Sequence, residues 1–168
     1  LDALKLHTII AGSTGSGKTV SAQVIVEGAL MNGTDVLVVD PSAQWSGFLK
    51  KCEDKSMLQS YPKYDMKPES PRSFLGRIKV VDDAHETIDI RELLKQKKSD
   101  SKEGNIIIYC LNKLEPKDID LFVANTVREI FEIHPEESEK LKLILVYDEV
   151  HRLLERFGGG GKGFVQIE

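Results

Sequence analysis

The sequence has no surplus of positive charge. Its 23 Lys and Arg face 27 Asp and Glu, for a net charge of −4. The domain as a whole is therefore not a basic coat for nucleic acid, although a motor that grips a polymer through a few loops needs no such coat. Cysteine is scarce: Cys52 and Cys110 form neither a metal-ligand spacing nor a disulfide framework. That scarcity fits a reduced compartment, and the expectation is a cytoplasmic protein. No apolar run approaches the roughly 20 residues that span a bilayer, so no membrane segment is expected. The opening Leu1-Asp2-Ala3-Leu4-Lys5 lacks the pattern of a secretory signal. His7, His85 and His134 show no ligand spacing, and no internal repeat is visible. What is present is ordinary for a globular domain: 40% hydrophobic and 30% charged residues over 168 positions. That is enough for one domain with a sizeable core and too little for two.

Against this background one stretch stands out. Gly12-Ser13-Thr14-Gly15-Ser16-Gly17-Lys18-Thr19 reads G-x-x-x-x-G-K-T, after the apolar run Leu6–Ala11 and before the helical pattern Val20–Met31. A phosphate-binding loop works between a strand and a helix N-terminus, which is the context expected here. Glycines at 12, 15 and 17 let the backbone turn so that successive N–H groups face one concavity. The first helical turn, reaching Val20, adds unpaired N–H groups and the positive end of the helix dipole. Lys18 is expected to reach the β- and γ-phosphates, and Thr19 to ligate Mg²⁺.

Apolar runs bounded by turn signals recur at Leu6–Ala11, Asp35–Val39, Arg77–Val81, Asn105–Leu111 and Lys142–Tyr147. Val36–Val39 and Leu143–Val146 are apolar at every position, which suits strands covered on both faces in a parallel sheet. Helical patterns lie between them. Val20, Val24, Gly28 and Met31 fall at helical spacing before the stop Asn32-Gly33, and Val123, Val127 and Ile130 form a second stripe before His134-Pro135. Asp89–Lys98 is a shorter candidate. The alternation predicts an α/β layered fold with right-handed crossovers. The stretch 50–77, with Pro62, Pro68 and Pro71, breaks the periodicity and reads as an irregular surface insertion, with a lid as the alternative. Cys110 is expected in the core, and Trp45 to pack rather than to stack on a base. Asp40 is either a turn-forming Asp before Pro41 or a group that positions water or an ion.

The run Lys142–Tyr147 ends in Asp148-Glu149. Beside a phosphate loop, the first carboxylate commonly holds Mg²⁺ and the second polarises the water that attacks the γ-phosphate. The adjacent acid favours ATP hydrolysis over GTPase or small-molecule kinase chemistry. Asn112-Lys113-Leu114-Glu115 imitates a guanine-reading N-K-x-D. However, it has Glu in place of Asp, it precedes the Asp148 strand, and no D-x-x-G accompanies it.

Together these residues resemble the HerA/FtsK clade of P-loop ATPases, closest to archaeal HerA-like DNA translocases and related conjugation and secretion ATPases. The resemblance rests on Gly12–Thr19, on Val36–Asp40 followed by Pro41 and Trp45, and on Tyr147-Asp148-Glu149-Val150-His151-Arg152-Leu153-Leu154. It implies a RecA-like core, a homo-oligomeric ring (usually a hexamer), and ATP- and Mg²⁺-driven movement of DNA. A motor that moves protein and a non-hydrolysing nucleotide module that controls assembly are the alternatives. It implies further that His151 can contact the γ-phosphate region or relay nucleotide state, a surface position being as consistent with its place. An arginine finger is expected in trans, with Arg72, Arg77, Arg91, Arg128, Arg152 and Arg156 all available. In relatives a polar sensor strand follows the Asp-Glu strand and lies between it and the strand that precedes the phosphate-binding loop. Here Gly158–Gly161, Lys162 and Gly163 lead toward that strand and the chain stops at Glu168. With Leu1 at its start, the expectation is a single-domain fragment, 1–168, truncated at its C-terminus.

Overall fold

Four short strands hydrogen-bond into one sheet because their apolar residues can be covered from both sides. The computed structural model describes Leu4 and residues 6–67, 69–88, 90, 102–133 and 140–149. Within these the strands are β1 (Asp35–Asp40), β2 (Gly76–Val80), β3 (Ile106–Cys110) and β4 (Leu143–Tyr147). All pairs are parallel, in the order β2-β3-β1-β4. The helices are α1 (Lys18–Met31), α2 (Lys55–Ser60) and α3 (Pro116–Ile133). This is the α/β, RecA-like layout that the sequence predicts.

Alternation along the strands divides the core in two. Val36 and Val38 of β1 with Ile106 and Ile108 of β3 pack on Val26 and Leu30 of α1. Leu37, Val39, Ile107 and Tyr109 face the other way, onto Phe122, Val123 and Val127 of α3. The stripe Val123, Val127 and Ile130 is therefore the packing face of α3, as its spacing predicts. On α1 the expected stripe is wrong. Val20, Val24 and Met31 are exposed, while Val26, Ala29 and Leu30 are buried. The helix is apolar nearly all round, so periodicity alone does not select its core face.

Leu6–Ala11 is not a strand of this sheet. Residues 6–11 are irregular and exposed, with Ile9 at 90%. A strand needs a neighbour to take its backbone N–H and C=O groups, and among the described residues none lies beside this segment. Among the described residues β4 likewise has β1 on one side only and is half-buried throughout, although its unbroken apolar run predicts full cover. At the opposite edge, β2 is exposed at every position. Lys79 there pairs with Glu86 at 2.6 Å and lies 5.8 Å from the Tyr109 ring centroid, and a charged side chain of this kind blunts edge-to-edge pairing.

The stretch 50–77 is more ordered than its composition implies. Asp54 caps α2 by accepting from Met57 N at 2.8 Å. Its pKa is lowered first by the Ser56 hydroxyl, which donates to Asp54 Oδ1 at 2.6 Å, and then by that Met57 N–H. A 3-10 turn (Tyr61–Tyr64) follows. The segment is pinned near its C-terminal end: Phe74 is buried against the α1 face, and its N–H donates to the carbonyl of Phe48, just before the segment begins, at 2.8 Å. Gly76 already belongs to β2. The candidate helix Asp89–Lys98 lies outside the described residues except for Ile90, which is buried.

Close approach requires glycine at Gly76, where an added Cβ would meet the Ile106 carbonyl, and at Gly104. Gly104 N donates to Leu30 O at 2.7 Å, and a Cβ built there collides with the Thr34 carbonyl. Backbone cannot swing aside as a side-chain tip can, so Gly104→Ala is expected to destabilise by about 1–3 kcal/mol. The urea midpoint measures this. Tyr147 presents the opposite case. Its hydroxyl is buried with no hydrogen-bond partner among the described residues, and burial raises its pKa. An unmet polar group lowers stability, so Tyr147→Phe is expected to leave stability unchanged or raise it by up to about 1–2 kcal/mol. The raised pKa favours the neutral phenol in the folded state. That contribution is complete below the ordinary tyrosine pKa of about 10 and fades as pH climbs above it. The gain from Tyr147→Phe therefore grows in alkali.

Candidate functional site

The ends of β1 and β4 are side by side, with Val39 opposite Tyr147 in the register and Asp148 N donating to Val39 O at 3.1 Å. In parallel α/β sheets the C-terminal ends of the strands form the usual ligand crevice. Asp40, Asp148 and Glu149 all lie at that end. The loop 12–17 enters the same region because α1 starts at Lys18 and packs along the sheet.

The loop has the backbone its glycines predict. Gly15 and Gly17 adopt φ of 77° and 85°, and Gly17 is the N-cap of α1. In that left-handed region a side chain is strained. Ser16 N donates to Ser13 O at 3.2 Å, closing the turn, and Ser21 N donates to Gly17 O at 2.9 Å, opening the helix. Lys18 Nζ folds back to donate to Ser13 O at 2.9 Å. Gly12, Ser13, Thr14, Gly15 and Ser16 are exposed, and Gly17, Lys18 and Thr19 half-buried. The helix side of the expected strand–loop–helix context is thus present. The strand side, Leu6–Ala11, is not.

Thr19 Oγ1 donates to Asp148 Oδ1 at 3.4 Å, across 129 residues of sequence. The same oxygen accepts from Glu149 N at 2.9 Å, and Glu149 has φ of 52°, unusual for a residue with a side chain. Thr19 and Asp148 offer a hydroxyl and a carboxylate, hard oxygen donors of the kind Mg²⁺ takes. Beside them the N–H groups of 15–20 and the Lys18 ammonium suit phosphate. The residues present fit a Mg²⁺-nucleotide.

Asp40 does something else. It is fully buried. Its Oδ1 accepts from Ser42 N at 3.0 Å and Ser42 Oγ at 3.1 Å, and its Oδ2 accepts from Trp45 N at 3.0 Å. This is the turn-forming role of the two expected. Trp45 is buried as expected, stacked on Phe48 with centroids 5.6 Å apart. In addition, its Nε1 donates to Asp148 Oδ2 at 2.8 Å, a contact that the sequence reading missed. The available signal was chemical: a buried indole N–H needs an acceptor. Cys110 is buried as expected. Arg72 pairs with Glu103 at 3.5 Å, and Arg128 Nη1 donates to Asn125 at 3.4 Å. His134, Arg91, His151, Arg152, Arg156 and 158–163 lie outside the described residues. No cluster of three metal-ligating side chains occurs among the described residues, and none of their helices is long and apolar enough to cross a membrane.

A parallel α/β sheet with a glycine loop and an Asp-Glu strand end defines a P-loop nucleotide-binding domain. The chain matches the family described as Helicase HerA, central domain, over residues 1–157, and it belongs to that family. Comparisons with curated proteins and with solved structures gave no match. The family supports a HerA-type ATPase domain that binds ATP.

Proposed function

We propose that this chain is the ATPase domain of a ring motor that hydrolyses ATP with Mg²⁺ to move DNA. The observation that carries the reading is the hydrogen bond from Thr19 to Asp148, which joins the phosphate loop to the Asp-Glu strand end. The N–H groups of Gly12 through Thr19 and of Val20 bind the phosphates. Lys18 exchanges its contact with the Ser13 carbonyl for phosphate oxygens. Thr19 and Asp148 hold the metal, which supplies charge neutralisation of the phosphates. Glu149 accepts a proton from the attacking water. Membership of a helicase family supports this reading, in which a homo-oligomeric ring moves a polymer and the polymer is DNA. A cytoplasmic location accords with that work.

The test is ATP turnover with and without duplex DNA. Stimulation by DNA supports the translocase, and turnover indifferent to DNA favours a motor that moves protein. Nucleotide binding with no turnover in the assembled protein favours a module whose nucleotide state controls assembly.

A further inference from the structure

We infer that Trp45 is a positioning residue for the metal-binding carboxylate, holding Asp148 through its indole N–H so that one carboxylate oxygen remains directed at Thr19. The inference rests on the Mg²⁺-nucleotide reading of this site. Asp148 divides its two oxygens between different partners. Oδ2 takes the Trp45 N–H at 2.8 Å, while Oδ1 faces the Thr19 hydroxyl at 3.4 Å and the Glu149 N–H at 2.9 Å. A carboxylate free to rotate about its Cβ–Cγ bond presents either oxygen to a metal. One held by a short charge-assisted hydrogen bond does not.

The indole is itself held firmly. Trp45 is fully buried and belongs to the cluster formed by Val26 and Leu30 of α1, Val36 and Val38 of β1, and Ile106 and Ile108 of β3. Phe48 stacks on it at an interplanar angle of 17°, and Phe74 lies against Phe48 with centroids 6.0 Å apart. Its backbone is tied down separately, because Trp45 N donates to Asp40 Oδ2 at 3.0 Å. The loop between them includes Ala43 at φ of 58°, a conformation that persists only where the surroundings impose it. Asp40, the loop, Trp45 and Asp148 therefore form one continuous support. It runs from the end of β1 to the residue after β4. The support connects the Asp148 carboxylate to the α1 core and, through Phe48, to Phe74 near the C-terminal end of the 50–77 segment.

Outer groups that orient a metal-binding side chain typically contribute 10- to 100-fold to metal affinity. Trp45→Phe keeps an aromatic ring in the cluster and removes only the N–H and part of the ring volume. The test is a titration of Mg²⁺ followed by binding of a fluorescent ATP analogue, with parallel measurements in EDTA. Trp45→Phe is expected to retain the metal-independent affinity and to need about 10- to 100-fold more Mg²⁺ for the metal-dependent gain. Equal Mg²⁺ dependence in variant and parent, both showing a clear metal-dependent gain, overturns the role of Trp45 and leaves the nucleotide site standing. No metal-dependent gain in the parent chain overturns both.

A second measurement covers failure of the variant to fold. Trp45 is the chain's one tryptophan, so its emission reports the indole directly. In the unmutated chain, adding Mg²⁺ to the nucleotide-bound protein is expected to change that emission, and Asp148→Ala to abolish the change. An emission indifferent to Mg²⁺, under conditions where nucleotide binding depends on it, overturns the inference.

Discussion

Glu149→Gln is expected to keep ATP binding and to lower turnover by about 10²- to 10⁴-fold, the contribution of a positioned general base. Gln has nearly the shape of Glu and cannot take a proton at neutral pH. The backbone that places residue 149 is fixed by interactions the substitution leaves alone. Its N–H donates to Asp148 Oδ1 at 2.9 Å, and its φ of 52° is set by the turn at the end of β4. Such a conformation costs on the order of 1–3 kcal/mol for a residue with a side chain. It is tolerated here next to Asp148, whose carboxylate meets Thr19 at the end of the phosphate loop. The measurement is single-turnover ATP hydrolysis alongside equilibrium nucleotide binding, in the assembled full-length protein. Unchanged affinity with lost hydrolysis assigns proton transfer to Glu149. Hydrolysis at the parent rate places the water-activating group elsewhere, whereas loss of both assigns residue 149 to binding.

How much of this site was legible in the sequence depends on which physical force sets each part. Strands β1 and β3 were legible because burial on both faces writes an unbroken apolar run, and their bounds lie within a residue or two of those expected. The loop was legible because only glycine adopts φ near 80° without strain, so Gly15 and Gly17 carry conformation and function in the same letters. Three features were not legible, each because it depends on a neighbour. Leu6–Ala11 has the composition of a strand, but strand formation requires an adjacent strand that no local pattern specifies. The core face of α1 is chosen by the sheet, which selects Val26 and Leu30 over Val20 and Val24. Trp45 reads as a packing residue, and it does pack. Its hydrogen bond to Asp148 spans 103 positions and depends on β1 and β4 being neighbours, which their order along the chain does not state. The 50–77 segment lacks periodicity because it is anchored by single side chains such as Phe74 rather than by a repeating face.

Lys18→Ala is expected to weaken ATP binding by about 10- to 100-fold with little effect on folding. The lysine ammonium's described hydrogen bond goes to the Ser13 carbonyl at 2.9 Å, within its own exposed loop, and a surface contact of this kind adds little to stability. Against a phosphate the same ammonium is worth more, because a charge-assisted hydrogen bond contributes about 1.5–3 kcal/mol, and each 1.4 kcal/mol is tenfold in affinity. The thermal midpoint without nucleotide should therefore stay near that of the parent, while the rise in midpoint on adding ATP should shrink. Lys18→Arg separates charge from shape. It retains the positive charge but replaces a compact ammonium on a flexible stem with a planar fork. If the loop demands only charge, Arg restores most of the affinity. If it demands that the cation fit beneath a backbone curled by Gly15 and Gly17, Arg recovers little. Unchanged ATP affinity in Lys18→Ala overturns the phosphate-loop assignment itself, because no other described side chain is so placed at the start of α1 to offer a mobile positive charge to the phosphates.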